Sequence, residues 1–294
     1  MRIAERFKLW ICISLVIIVA GLGMVAVKGF NLGIDFTGGT MMQIDLHEAS
    51  VPVKDVQALI EEFDLNATIV HAGQTKEEII IKTSQSLPNE KRIEIFNKFV
   101  EAYGLESDDM RGASQFGPSI GKELQNKAMM SIIIASIGML IYITFRFEVI
   151  YGVTAIIALV HDVLILLAVY ALFRIPVNSS FIAAVLTIVG YSINDTIVVF
   201  DRVRENVKIM KRASFDDIAN TSLKQTISRS INTSLTTGLV IGSLYFLGSE
   251  SIKEFALPLL AGVITGTYSS IFIASPLWAA LKTKMKEKHH YSKA

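Results

Sequence analysis

Four ionisable side chains lie within or at the edge of stretches otherwise suited to a lipid bilayer. His161 and Asp162 interrupt IIALVHDVLILL, Asp195 follows Asn194 in GYSINDTIVVF, and Arg229 opens a run that continues Asn232, Thr233 and Thr236. An ionised carboxylate at mid-membrane costs at least about 2.5–3.5 kcal/mol on insertion scales, so such groups pair, face a wet cavity or take up protons. Burial favours the neutral acid, whereas a nearby guanidinium favours the charged one. An aspartate whose arginine can approach and leave is therefore a protonation switch. The bland alternative is a static Asp195–Arg229 or Asp195–His161 pair that only locks helices together. Four ionisable groups on three neighbouring spans exceed what packing alone requires. Arg229, Thr233 and Thr236, spaced i, i+4, i+7, share one helix face. Adjacent residues on a helix diverge by about 100°, so His161 and Asp162 are not expected to face one small site together. One would line a path and the other bond a neighbouring helix, and the spacing leaves open which. An intramembrane zinc protease would need HExxH or a comparable ligand set, and the sequence has none.

The elements that must hold these groups are apolar helices. The 294 residues are 51% hydrophobic and 19% charged, with mean hydropathy +0.48, a balance that marks an integral membrane protein. A net charge of +1 argues against a nucleic-acid partner. The single cysteine, Cys12, excludes an intrachain disulfide. LWICISLVIIVAGLGMVAV, residues 9–27, is long enough to span a bilayer and reads as an uncleaved anchor rather than a signal peptide. Five further spans are expected at Ala128 to Phe145, Val149 to Leu172, Phe181 to Phe200, Ile231 to Leu247 and Phe255 to Leu281. Six spans put both termini on one side of the membrane. Basic residues flank the spans on that side: Arg2, Arg6 and Lys8, Arg146, the run from Arg202 to Arg229, and Lys282 to Lys293. The opposite connections, FRIPVNSS and GSESIK, hold one each. The positive-inside rule makes the basic face cytoplasmic. Asp201, Arg202, Arg204 and Glu205 then mark the solvated end of span four. The stretch from Arg204 to Lys224 reads equally as an interfacial amphipathic element or a partner contact. Gly238-x-x-x-Gly242 and Gly262-x-x-x-Gly266 suit close helix contact.

The polar gap folds outside the membrane. TMMQIDL, ATIVHAG and EEIIIKTS read as strands, PVKDVQALIEEF and PNEKRIEIFNKFVEAYG as helices, and Met110 to Phe116 as a weakly alternating last strand. The first helix carries Val53, Val56, Ile60 and Phe63 at helical spacing. The order β-α-β-β-α-β is the split-βαβ, ferredoxin-like pattern. His47 and His71 lack plausible metal-ligand companions and read as packing or surface residues. The chain thus divides into a cytoplasmic N-terminus with span one (1–30), an extracytoplasmic α+β domain (31–120), spans two to six (121–281) and a basic tail (282–294).

GIDFTGGT (33–40), FGPSIGKEL (116–124), VHDVLI (160–165), GYSINDTIVVFDRVREN (190–206) and SRSINTSLTT (228–237) occur in that order. Together they resemble the SecF branch of the SecD/SecF protein-export family, within the RND superfamily. SecD-type chains typically carry Asp-Ala-Asn in the fourth span and a much longer outer region, which favours the SecF branch. The resemblance implies a multi-pass protein of the bacterial plasma membrane that pairs with SecD beside the SecYEG channel. It would use the proton motive force to help pull or release unfolded polypeptide on the outer side after SecA has driven entry. The family's proton-passage residues map onto Asp195 and Arg229, with His161, Asp162 and Asn194 as neighbours in the same stretches. No enzyme activity and no cofactor or metal is implied, and GxxxxGK[ST] is absent, so ATP use would belong to a partner. The rival readings are a small-molecule or ion antiporter of the same superfamily, which usually needs larger paired outer domains, and a non-transporting assembly scaffold.

Overall fold

The computed structural model describes residues 2–291 apart from 49, 66 and 74, so Lys293 lies outside the described residues. Helix α1 (Phe7–Lys28) leads through a short α2 (Ile34–Thr37) into a small domain. That domain runs β1 (Gly39–Asp45), α3 (Val53–Glu61), β2 (Ala67–Ala72), β3 (Glu78–Thr83), α4 (Asn89–Tyr103) and β4 (Met110–Phe116). A bundle follows: α5 (Pro118–Arg146), α6 (Val149–Leu172), α7 (Ser179–Ile209), α8 (Phe215–Leu247), α9 (Glu250–Ser269), a π-helical turn (Ser270–Ala274) and α10 (Ser275–Tyr291).

The four strands pair antiparallel in the order β2-β3-β1-β4. The segment at Met110–Phe116, whose alternation is poor, is an edge strand. It has a neighbour on one side only and a register shift at Gln43/Ile44, so no strict inward–outward rhythm is imposed on it. Met42, Ile44, Ile79 and Ile81 pack against Val56 and Ile60 of α3 and against Ile95 and Phe99 of α4. Val53, at the first turn of α3, stays exposed. Both histidines are accounted for inside the domain. His71 Nε2 meets the Val51 carbonyl at 2.6 Å, and His47 Nε2 lies 2.8 Å from Asp109. The His47 backbone N–H and the Arg111 guanidinium hold the Asp45 carboxyl below its usual range.

Among the described residues, five helical stretches are long and apolar enough to cross a membrane: Ala4–Lys28, Ser119–Arg146, Val149–Leu172, Ser179–Ile209 and Ile252–Lys286. The fifth expected span falls in α8 and is not among them. Its membrane-length half carries Asn232, Thr233, Ser234, Thr236 and Thr237, which dilute its apolarity. Helices α7 and α8 contain 31 and 33 residues. At about 1.5 Å per residue each outruns a hydrocarbon core of about 30 Å. The charged stretch after Phe200 is therefore no separate element. It continues α7 and pairs with the start of α8, where buried Asn206 donates to Ser222 and Gln225, both at 2.8 Å.

The GIDFTGG segment fastens the small domain to the bundle. Gly33 N–H donates to the Val177 carbonyl at 2.7 Å and Val177 N–H to Asn31 at 2.8 Å, a short parallel bridge to the α6–α7 connection. Asp35 accepts from Ser179 N–H at 2.9 Å, which places a carboxylate on the N-terminus of α7, where it is favoured. Phe36 is buried among Leu166, Tyr170 and Phe181, and its carbonyl accepts from Gln125 of α5. A second tie comes from Lys82 of β3, whose ammonium lies 2.6 Å from Glu254 of α9. The other Glu254 oxygen accepts from Asn178, which also caps α7 through Phe181 N–H. A half-exposed pair contributes modestly, but this one spans two bodies. In a Cys12→Ser background, Lys82→Glu is expected to raise several-fold the rate at which a cysteine introduced beside Glu254 reacts with a water-soluble maleimide. Adding Glu254→Lys should return it to the wild-type rate.

Candidate functional site

The bundle encloses a buried polar network at the depth of the ionisable residues. Asp162 is 1% exposed. Its Oδ2 accepts from Ser192 of α7 at 2.6 Å and from Ser269 of α9 at 2.8 Å. Its Oδ1 lies 3.0 Å from Nδ1 of its neighbour His161, whose Nε2 meets Ser14 of α1 at 2.8 Å. The expectation that His161 and Asp162 diverge is corrected here. Their Cα–Cβ bonds do point apart, but the imidazole is long enough to lie back along the helix surface and meet the carboxylate. Tyr268 stacks on that ring, 5.9 Å between centroids, and holds it there.

Asp195 lies one turn further along α7 from Ser192, and is 7% exposed. Its Oδ1 accepts from Ser230 of α8 at 2.6 Å. Its Oδ2 is buried and has no hydrogen bond of good geometry. The Ser270 hydroxyl lies beside the carboxylate but bonds Thr196 Oγ1 at 2.9 Å. Orphaned buried oxygens are rare.

Arg229 and Asn194 do not join this network. Both are exposed. Ser230 occupies the inward position of α8, and a step of about 100° per residue turns its predecessor Arg229 aside. Arg229 lines a cavity of about 420 Å³ together with Arg146, Asp201, Arg204 and Thr226, at the bundle end away from the small domain. Asp201 is held there by Arg204 at 2.8 Å and Arg146 at 3.5 Å. Among the described residues no ion pair joins Asp195 to Arg229, although the guanidinium is near enough for its charge to act on the carboxylate. Asn194 is exposed, turned about 100° around α7 from Asp195.

Helix packing sets this geometry. A Cβ on Gly262 would fall 2.0 Å from Ile188, and one on Gly266 3.0 Å from Ser192, so α9 lies backbone-close on α7. A Cβ on Gly238 or Gly242 would meet nothing within 4 Å, so the Gly238–Gly242 pattern marks no such close approach. The partners that sequence reasoning missed are Ser192 and Ser230 for the two carboxylates and Ser14 for His161. A serine is common in apolar helices, and only the facing helix reveals which ones matter.

Residues 97–284 match the family model described as protein export membrane protein SecD/SecF, C-terminal. Residues 23–49, which include GIDFTGGT, match the SecD/SecF GG motif. The chain is 40% identical over 288 residues to the protein translocase subunit SecF of Calditerrivibrio nitroreducens, covering 96% of this chain and 94% of that one. It is 37% identical over 288 residues to the protein translocase subunit SecDF of Bacillus subtilis, covering 97% of this chain but 38% of that longer protein. The crystal structure of SecDF, a translocon-associated membrane protein from Thermus thermophilus, matches with TM-score 0.82 at 36% identity, over 96% of this chain and 39% of that one.

Proposed function

The chain belongs to the SecD/SecF family of protein-export membrane proteins, and on that premise we propose that it is a proton-driven accessory subunit of polypeptide export. It works with a SecD partner beside the SecYEG channel, on polypeptide that SecA has already committed to the membrane. The observation that carries the reading is Asp195: a buried carboxylate with one oxygen unpartnered, one helical step from a solvated arginine cavity. It catalyses no covalent chemistry and takes no cofactor.

In this reading six helices cross the membrane, α8 included, and both termini are cytoplasmic. The β-α-β-β-α-β domain is ferredoxin-like and extracytoplasmic. The arginine cavity is then the cytoplasmic vestibule. A proton arriving from the outer side neutralises Asp195 and weakens its attraction to Arg229, and α7 and α8 repack. The GIDFTGG bridge and the Lys82–Glu254 contact carry that movement to the outer domain. One proton crossing 100 mV supplies about 2.3 kcal/mol, enough to bias a modest conformational equilibrium. Helix α8 leaves Arg229, Asn232, Thr233 and Thr236 exposed, and a polar face at membrane depth needs a protein neighbour rather than lipid. SecD fits that role, because fused SecDF relatives carry both halves in one chain.

The increment this protein adds to export in inner-membrane vesicles is expected to vanish when a protonophore collapses the gradient while ATP stays in excess. An increment that survives the protonophore would leave an assembly scaffold as the better reading.

A further inference from the structure

The π-helical turn Ser270–Ala274 interrupts the last long helix at the one depth where it meets both buried carboxylates. Such turns concentrate at functional sites because they break the regular i→i−4 ladder and re-aim side chains. Here Ser269, Ser270 and Ile271 are all buried, which a regular amphipathic helix does not give for three successive residues. Ser269 donates to Asp162 on α6. Ser270, the next residue, bonds Thr196 on α7 beside the unpartnered oxygen of Asp195. The turn is steadied by Ser275, which donates to the Ser270 carbonyl at 3.3 Å.

We infer that Ser270 is a hydroxyl switch, bonding Thr196 while Asp195 holds its proton and turning to Asp195 Oδ2 when the proton leaves. An ionised carboxylate oxygen buried without a donor is costly, and the Ser270 hydroxyl is already beside this one. Because Ser269 precedes Ser270 in the same turn, the rotation is felt at Asp162, and the two carboxylates respond to one another. Ser270 is thus a positioning residue that acts through Asp195. The charged group whose field reaches Asp195 is Arg229 on α8, while the other buried carboxylate, Asp162 on α6, is held by Ser192, Ser269 and His161. At this depth α9 and the π-turn present hydroxyls only.

This inference rests on the proton-coupled reading, and the test separates the two. Export driven by an imposed proton gradient is measured against pH in vesicles carrying the assembled complex. Ser270→Ala removes the donor to the ionised form, so the midpoint of the pH dependence is expected to move upward by about one pH unit, the lower end for a hydrogen bond to a charge. Ser270→Thr, which keeps the hydroxyl, should restore it. Thr196→Val frees Ser270 from its competing partner and should move the midpoint downward, which keeps the test open if Ser270→Ala fails to accumulate. An unmoved midpoint in Ser270→Ala or Thr196→Val, or a Ser270→Thr that behaves as the alanine variant does, overturns the switch. If Asp195→Asn is inactive in the same vesicles, the proton reading survives that failure; if Asp195→Asn exports normally, both fall.

Discussion

Asp195→Asn is expected to abolish the proton-dependent part of export, a loss of at least tenfold, while the protein still accumulates and assembles. The amide has the carboxylate's shape, and its oxygen can still accept from Ser230, which lies 2.6 Å from Asp195 Oδ1. What the variant lacks is a proton to take up and give back. Nothing is forced to move, because the second oxygen has no hydrogen bond to lose. Asp162→Asn is the instructive contrast. Asp162 Oδ2 accepts from two serines while Oδ1 faces His161, so an amide there keeps these bonds only with its oxygen toward the serines and with His161 Nδ1 as an acceptor, which fixes both its rotamer and the imidazole tautomer. That substitution costs stability as well as activity, so only Asp195 isolates the relay. The comparison is read as precursor release per assembled complex, with and without an imposed gradient. Normal proton-dependent release by assembled Asp195→Asn protein would sink the assignment.

The second large effect is structural. Gly39 opens β1 at φ +146, and a Cβ there would lie 2.1 Å from the Thr83 carbonyl and 3.0 Å from Ser84 Cα. Both contacts are backbone atoms of the adjoining strand's end, which cannot swing away as a side-chain tip would. Backbone strain of order 1–3 kcal/mol adds to the clash. Gly39→Ala is therefore expected to cost more than 3 kcal/mol, a large share of the stability of so small a domain. Limited proteolysis in detergent should show rapid cutting between residues 40 and 116, with the bundle intact. Gly112→Ala on β4, where a Cβ meets nothing within 4 Å, should digest as wild type does. Equal digestion of the two variants would show that the motif's second glycine is not held by this contact.

Much of this was legible in the sequence because the bilayer enforces it. Apolar runs announce helices, and a polar residue inside one must have a reason, so Asp162 and Asp195 stand out without any structure. The small domain was legible for a different reason: its helices and inner strands alternate clearly, and only the edge strand at Met110–Phe116 is faint. The illegible part is what depends on a facing helix. Hydroxyls decide how each carboxylate is held, yet Ser192 and Ser230 differ in nothing local from Ser234 or Ser243. The end of a span is legible but the end of its helix is not: α7 continues to Ile209, because hydropathy reports where lipid ends and the backbone ladder has no cause to stop there. The meeting of Asp195 with Ser230 rather than Arg229 turns on a single step of helical phase, which residue type does not record.

The Lys82–Glu254 contact also orders the making of the protein. Its two ends are 172 residues apart, and ribosomes add about 5–20 residues per second, so roughly 9 to 34 s separate their synthesis. The small domain has all its strands by Phe116 and can fold long before Glu254 exists. Its first tie, to Val177 and Ser179, needs only α6 and the start of α7, whereas the Lys82 contact must wait for α9. Between those two events the domain is a finished body held at one end, and its contact with Glu254 forms only once α9 is in place.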